Sequence, residues 1–217
     1  MSQNLGIYLV TDTAQCGNRG GVETARQAVA GGVRTVQVRD KTADAADLLS
    51  LLVAVANAVG EEATVLVNDR VDVYLAARAR AVSVHGVHIG QADLPPVDAR
   101  KLIGPDAVLG LTAHTRTHFK AADALPAGTV DYLGVGVIHA TPTKSDHPKA
   151  IGIDGFARLA ETTTLPCVAI GGIDAADVGD LRARGAAGVA VVSAICASTD
   201  PRASAHTLTR EWMGERT

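Results

Sequence analysis

A chain of 217 residues, 47% hydrophobic and 20% charged, carries enough apolar side chains for a full core, and an α/β barrel of that length is routinely one domain. A formal net charge of -3 gives no overall basic surface, which argues against nucleic acid or an anionic membrane as partner and leaves any phosphate binding to local groups. The 3 cysteines, Cys16, Cys167 and Cys196, are widely spaced without a CxxC pair, which argues against a disulfide framework or a cysteine metal site and suits a reducing compartment.

The chain opens MSQNLGIYLVTD, without the positive region and long apolar stretch of a signal peptide, and no later segment reaches about 18 uninterrupted apolar residues. A cytoplasmic location is the expectation. From there, short β-branched runs alternate with amphipathic segments, the pattern of consecutive βα units around a parallel sheet. The runs are Ile7 to Thr11, Thr35 to Arg39, Thr64 to Asn68, Val84 to Ile89, Val108 to Thr112, Tyr132 to Val137, Cys167 to Gly171 and Gly188 to Ser193. Several are apolar on both faces, as strands filled inside by their own side chains and covered outside by helices must be. Between the second and third runs the spacing of Ala45, Leu48, Leu49, Leu52 and Ala56 predicts a helix over Asp44 to Val59, ended by Gly60. Further helices are expected to begin near Val22, Val71, Pro96, Thr117, Gly155, Ala175 and Arg202. Strand and helix counts fit either a closed (β/α)₈ TIM barrel or an open doubly wound sheet, and the lack of GxGxxG after the first run favours closure. No Pro-rich or low-complexity linker divides residues 1–217, so one TIM-barrel domain is expected.

In a parallel sheet the residues that end successive strands all face one way, so the polar residues there are the site candidates. In chain order they are Gln37, Arg39 and Lys41; Asn68 and Asp69; Gln91 and Asp93; Thr112; Thr141, Thr143 and Lys144; Gly171 and Gly172; and Ser193. Arg39 and Lys41 at strand spacing send two cations in one direction, enough to hold a polyanion, although solvated loop-end charges would look the same. Asp69 and Asp93 are hard oxygen ligands of the kind that holds Mg²⁺ together with substrate phosphate and water. Equally, Asp69 would serve as N-cap of the helix near Val71, and Asp93 as a turn residue before Leu94-Pro95-Pro96. The run Thr141-Pro142-Thr143-Lys144 offers hydroxyls and an ammonium to phosphate oxygens, or is an ordinary polar surface loop. Gly171-Gly172 and Val192-Ser193 stand where barrels build phosphate sites from backbone N–H groups. The 7 histidines show no metal spacing, and His88 in the fourth run reads most simply as a satisfied interior histidine. No GxSxG occurs, so nucleophilic catalysis has no evident carrier.

The set YLVTD, QVRDK, VNDR, GVHIGQADLP, GLTAHT, TPTK, AIGGID and VAVVSAI, in that order over nearly the whole chain, resembles the thiamine-phosphate synthase family. The resemblance implies a Mg²⁺-dependent transferase on a TIM barrel. It would join 4-amino-5-hydroxymethyl-2-methylpyrimidine diphosphate to a thiazole phosphate by a dissociative route, giving thiamine phosphate and diphosphate. By similarity Gln37, Val38, Arg39, Asp40, Lys41, Asn68, Thr112 and Lys144 bind the pyrimidine diphosphate, with Lys144, Arg39 and Thr112 acting on the departing group. Asp69 and Asp93 hold the metal, while Thr141, Pro142, Thr143, Gly172, Val192 and Ser193 receive the thiazole phosphate. Thr112 stands where the family commonly has Ser, and His85 where an Asp often precedes GVH; the second change is expected to touch packing or the opposite end of the barrel. The partners implied are small phosphorylated molecules, and a homo-oligomer is left open. Two other readings share the phosphate loops: a thiazole tautomerase, which would lack the metal acids, and a non-catalytic binder of the same phosphates.

Overall fold

The computed structural model describes residues 5–141 and 149–215. The strands are β1 (Gly6–Val10), β2 (Thr35–Val38), β3 (Thr64–Asn68), β4 (Gly86–Ile89), β5 (Val108–Thr112), β6 (Tyr132–Gly136), β7 (Cys167–Ile170) and β8 (Gly188–Val191). Each pairs in parallel with its sequence neighbour, and β8 returns to β1 through the register Ile7↔Val189 and Leu9↔Val191. The sheet is therefore a closed barrel, which leaves no strand edge unpaired. The helices among the described residues are α1 (Thr13–Cys16), α2 (Gly20–Ala30), α3 (Ala45–Val59), α4 (Val71–Ala79), α5 (Pro96–Ile103), α6 (Arg116–Asp123), α7 (Gly152–Ala160), α8 (Ala175–Ala183), α9 (Ser193–Cys196) and α10 (Pro201–Met213). None is long and apolar enough to cross a membrane.

Local chemistry accounts for the clearest elements. Asp44 caps α3 by accepting from the Asp47 N–H, and Gly60, at φ 56°, ends it in a conformation that costs glycine little. Leu48, Leu49, Leu52 and Ala56 are buried, whereas Ala45 in the first turn is exposed. The eighth run stops short of Ser193, because the chain turns at Val192 (φ -115°, ψ -81°) into α9.

Period-2 alternation sorts the strand residues into two layers. Leu9, Val36, Val38, Val65, Val67, Val87, Leu109, Leu133 and Val189 join the helices in the outer core. The alternate set, with Tyr8, Val10, Leu66, Tyr132, Val168 and Ala190, packs separately as the barrel's own filling. Each fully buried aliphatic side chain contributes about 1.5–3 kcal/mol, so the outer layer dominates stability.

The N-terminal end of the barrel is tied by Arg100 on α5. Its guanidinium donates to the carbonyls of Thr129, Gly104 and Ala107 and to Asp131 Oδ2 at 2.7 Å, and the same Oδ2 accepts from the Leu109 N–H. His85 works nearby, its Nδ1 accepting from the Val65 N–H at 2.9 Å, so the departure from the family pattern at this position serves strand packing. Arg100→Ala strands three carbonyls and a carboxylate that are largely screened from water, and a loss of about 3 kcal/mol in urea unfolding is expected. Turnover per folded molecule should not change, since this end is remote from the strand C-termini.

Candidate active site

Every parallel strand delivers its last residues to one mouth, and the polar side chains gather there. Beyond β2, Arg39 Nη1 lies 2.9 Å from Asp12 Oδ2 after β1, and the Arg39 N–H donates to Thr11 Oγ1. Lys41 forms an ion pair with Asp69 after β3. Asp69 is one of the few non-glycine residues with positive φ, at 62°, and its N–H donates to the His88 carbonyl at 2.7 Å. That left-handed conformation is least unfavourable for Asp and Asn, and it turns the carboxylate back over the mouth instead of along α4. The helix cap is accordingly Arg70, with no side-chain hydrogen bond, so Asp69 is not occupied as an N-cap.

Asp93 does take a turn role with one oxygen: Oδ2 accepts from the Gly90 N–H at 2.7 Å. Partial desolvation at the rim holds its carboxyl above its ordinary value, and the nearby negative charge of Asp69 pushes in the same direction. Two carboxylates thus face each other across the β3 and β4 ends, opposed by Lys41. Among the described residues no group of three or more His, Cys, Asp or Glu side chains converges as an all-protein metal cage.

Asp40 is committed to its loop. One oxygen accepts from the Thr42 N–H, the Thr42 hydroxyl and the Ala43 N–H, and the other from Thr13 Oγ1 at 2.6 Å; that hydroxyl, ahead of the Thr42 contacts, holds the carboxyl down at about 2. Val38 points its side chain into the outer core, so only its backbone is open to a ligand. Asn68 ends β3 half-buried, in register with His88.

Thr112 ends β5. Its carbonyl accepts from Gln91 Nε2 at 2.6 Å, and its hydroxyl lies 3.0 Å from His88 Nε2. His88 Nδ1 in turn lies 2.9 Å from the Tyr132 hydroxyl, so both ring nitrogens of this interior histidine are bonded. On the far side of the mouth, Gly171 and Gly172 follow β7 with φ of 102° and 67°. A Cβ on Gly172 would fall 2.9 Å from the His139 carbonyl oxygen, so the β6 and β7 loops touch where only glycine fits. His139 Nε2 also lies 2.9 Å from Asp177 Oδ1 on α8. Val192 and Ser193 open α9 beside them, and Thr141 is half-buried at the end of the β6 loop. Pro142, Thr143 and Lys144 lie outside the described residues.

Sequence reading passed over Tyr8, Asp12, Tyr132, Gly110 and Gly134. The signal present was slight: a phenol inside each of two apolar strands, and glycines at inward positions of β5 and β6, where glycine normally weakens a strand.

Burial lowers the pKa of His88 from the usual 6.5 to about 4, against a smaller upward pull from Asp69. The native imidazole stays neutral down to about pH 4, while the unfolded chain takes up that proton below 6.5. Between these values the unfolded state binds more protons, so stability falls as pH falls, by up to about 3 kcal/mol across the window. His88→Gln, which cannot titrate, should therefore close its stability gap to wild type between pH 7 and pH 4.5 in urea unfolding. A gap that stays constant would contradict a buried neutral imidazole.

A closed parallel barrel with its polar residues gathered at the C-terminal mouth is the architecture of the (β/α)₈ enzymes. The family model described as thiamine monophosphate synthase matches residues 7–195. Thiamine-phosphate synthase of Corynebacterium efficiens is 49% identical over 187 residues, 86% of each chain. That of Azorhizobium caulinodans is 44% identical over 206 residues, covering 94% of this chain and 93% of its own. Among solved structures, thiamine phosphate pyrophosphorylase from Pyrococcus furiosus superposes with a TM-score of 0.84 at 28% identity, over 98% of both chains. The chain belongs to the thiamine monophosphate synthase family, and it is a transferase.

Proposed function

We propose that this chain joins 4-amino-5-hydroxymethyl-2-methylpyrimidine diphosphate to 4-methyl-5-(2-phosphoethyl)thiazole, releasing diphosphate and forming thiamine phosphate, or to the carboxylated thiazole, in which case CO2 is lost as well. The observation that carries the reading is the pair Asp69 and Asp93 set against Lys41 at the mouth that also holds Arg39 and Thr112. Two close carboxylates of like charge, set against Lys41 among the described residues, fit a divalent cation that takes one or two protein ligands and completes its shell with water and phosphate. Mg²⁺, held by Asp69 and Asp93, would neutralise charge on the diphosphate oxygens.

The chain's own residues supply position and field. Arg39, Lys41 and Lys144 hold the diphosphate, Gln37 and Asn68 orient the pyrimidine, and Asp40 keeps the loop carrying Arg39 and Lys41 in shape. The C–O bond to diphosphate breaks with its electron pair leaving on oxygen, and the thiazole nitrogen donates its lone pair to the methylene carbon to form the C–N bond. No base or nucleophile is needed, which agrees with a site of cations and donors; fixed charges aimed at the leaving group provide the acceleration. Thr141, Pro142, Thr143 and the backbone of Gly172, Val192 and Ser193 would receive the thiazole phosphate. The chain would act as one cytoplasmic domain on small phosphorylated substrates.

The test is direct. With both substrates and Mg²⁺, thiamine phosphate and diphosphate should appear in equal amounts by chromatography, and omission of either substrate should abolish both. Diphosphate release with no thiamine phosphate, or no product at all, would refute the assignment.

A further inference from the structure

Five side chains from five strands form one unbroken hydrogen-bond chain through the barrel interior. Gln37 Nε2 donates to the Tyr8 hydroxyl at 2.5 Å, Tyr8 and Tyr132 hydroxyls are 2.9 Å apart, and Tyr132 reaches His88 Nδ1 at 2.9 Å. His88 Nε2 then meets Thr112 Oγ1 at 3.0 Å. Gln37, Tyr8 and Tyr132 are all buried, so each unmatched proton among them would carry a real penalty.

Counting protons sets the direction of the chain. The amide nitrogen of Gln37 can only donate, so the Tyr8 oxygen accepts and its single proton must go elsewhere. The hydroxyl of Tyr132 is the acceptor within reach; the proton of Tyr132 passes to Nδ1, and an Nδ1 that accepts leaves the proton of a neutral imidazole on Nε2. Nε2–H then donates to Thr112 Oγ1. Reversing any link leaves a buried phenol proton without an acceptor among the described residues. Thr112, having accepted from within, has its own proton free to point outward, over the mouth.

Two glycines make room for this arrangement. A Cβ at Gly110 would collide with Tyr132 Cζ and lie 2.5 Å from His88 Nδ1, and one at Gly134 would lie 2.9 Å from His88 Cε1. Both rings occupy space that β5 and β6 vacate. A filling of small aliphatic side chains would need neither the glycines nor the polar atoms.

We propose that Tyr132 and His88 are positioning residues that set the Thr112 hydroxyl as an outward hydrogen-bond donor to the departing diphosphate. This rests on the reading of Thr112 as a diphosphate-binding residue. Neither ring need touch the leaving group; each acts through the next hydroxyl or nitrogen in line.

A double-mutant cycle tests it. Tyr132→Phe keeps the ring and removes the proton that fixes Nδ1 as acceptor; kcat should fall about tenfold with KM nearly unchanged. Thr112→Val alone should lower kcat at least as much, and in that background Tyr132→Phe should change kcat less than about twofold, since the hydroxyl it orients is gone. Equal losses from Tyr132→Phe in both backgrounds would overturn the positioning role while leaving Thr112 in place. Wild-type kcat in Thr112→Val would instead remove Thr112 from the site, and the inference with it. Should Tyr132→Phe fail to fold, His88→Gln, which keeps an N–H aimed at Thr112, should retain kcat within about threefold, whereas His88→Leu loses about tenfold. Equal kcat in those two variants would be equally fatal.

Discussion

Chelation of divalent metal by EDTA should lower product formation at least about a hundredfold, and added Mg²⁺ should restore it. The reason lies in the charges at the mouth. Asp69 and Asp93 bring two carboxylates together at the mouth, where the proposed reaction would release diphosphate, and Lys41 is paired to Asp69. Without a cation the pair would repel a polyanion; Asp69 and Asp93 would hold a divalent ion, which would supply the charge neutralisation the diphosphate needs. Turnover that continues undiminished after exhaustive chelation would leave the acid pair without a role. The same measurement separates the transferase from a thiazole tautomerase acting at the same phosphate loops, which would have no diphosphate to neutralise.

Asp93→Ala should lower turnover about a hundredfold while leaving the barrel nearly as stable as before. The residue stands at the exposed rim with its carboxyl only partly desolvated, and it accepts from the Gly90 N–H, so its loss should cost about 1 kcal/mol and a few degrees in thermal unfolding. Asp93→Asn sharpens the test, because its amide oxygen can still accept from Gly90 but carries no charge. Stability should recover in that variant and turnover should not. Rates near wild type in either one would remove Asp93 from the metal site, and a collapse of stability in both would show the residue to be a structural turn.

The two ends of the barrel hold their charges differently. Arg100 at the N-terminal end satisfies carbonyls and a carboxylate that are screened from water, whereas Lys41, Asp69 and Asp93 at the mouth remain accessible to ligand.

Much of this was present in the order of residues alone. β-branched runs of five or six residues located all eight strands, because a strand covered on both faces must be apolar on both. Asp44, Gly60 and the leucine spacing bounded α3 for equally local reasons. Parallel strands all end at one mouth, so the polar residues at and just beyond the end of each run marked the expected rim, and His85 was assigned to the other end by standing at the entrance of its run. The ordered motifs from YLVTD to VAVVSAI carried the family resemblance, and with it the expected chemistry.

Closure was another matter, since strand spacing suits an open sheet as well and only the pairing of β8 with β1 decides it. The same holds for every contact across the lumen. Alternation tells which side chains face inward but not which of them meet: that depends on barrel radius, on register and on the space left at Gly110 and Gly134. Tyr8 and Tyr132 are 124 positions apart, and nothing local to either predicts a shared hydrogen bond. The left-handed turn at Asp69, which aims its carboxylate over the mouth and not along a helix, is likewise a product of the packed fold. Composition and pattern determined the elements and their polarity; the three-dimensional closure of the sheet determined which distant polar atoms became neighbours, because only there do side chains from opposite strands share one small, desolvated volume.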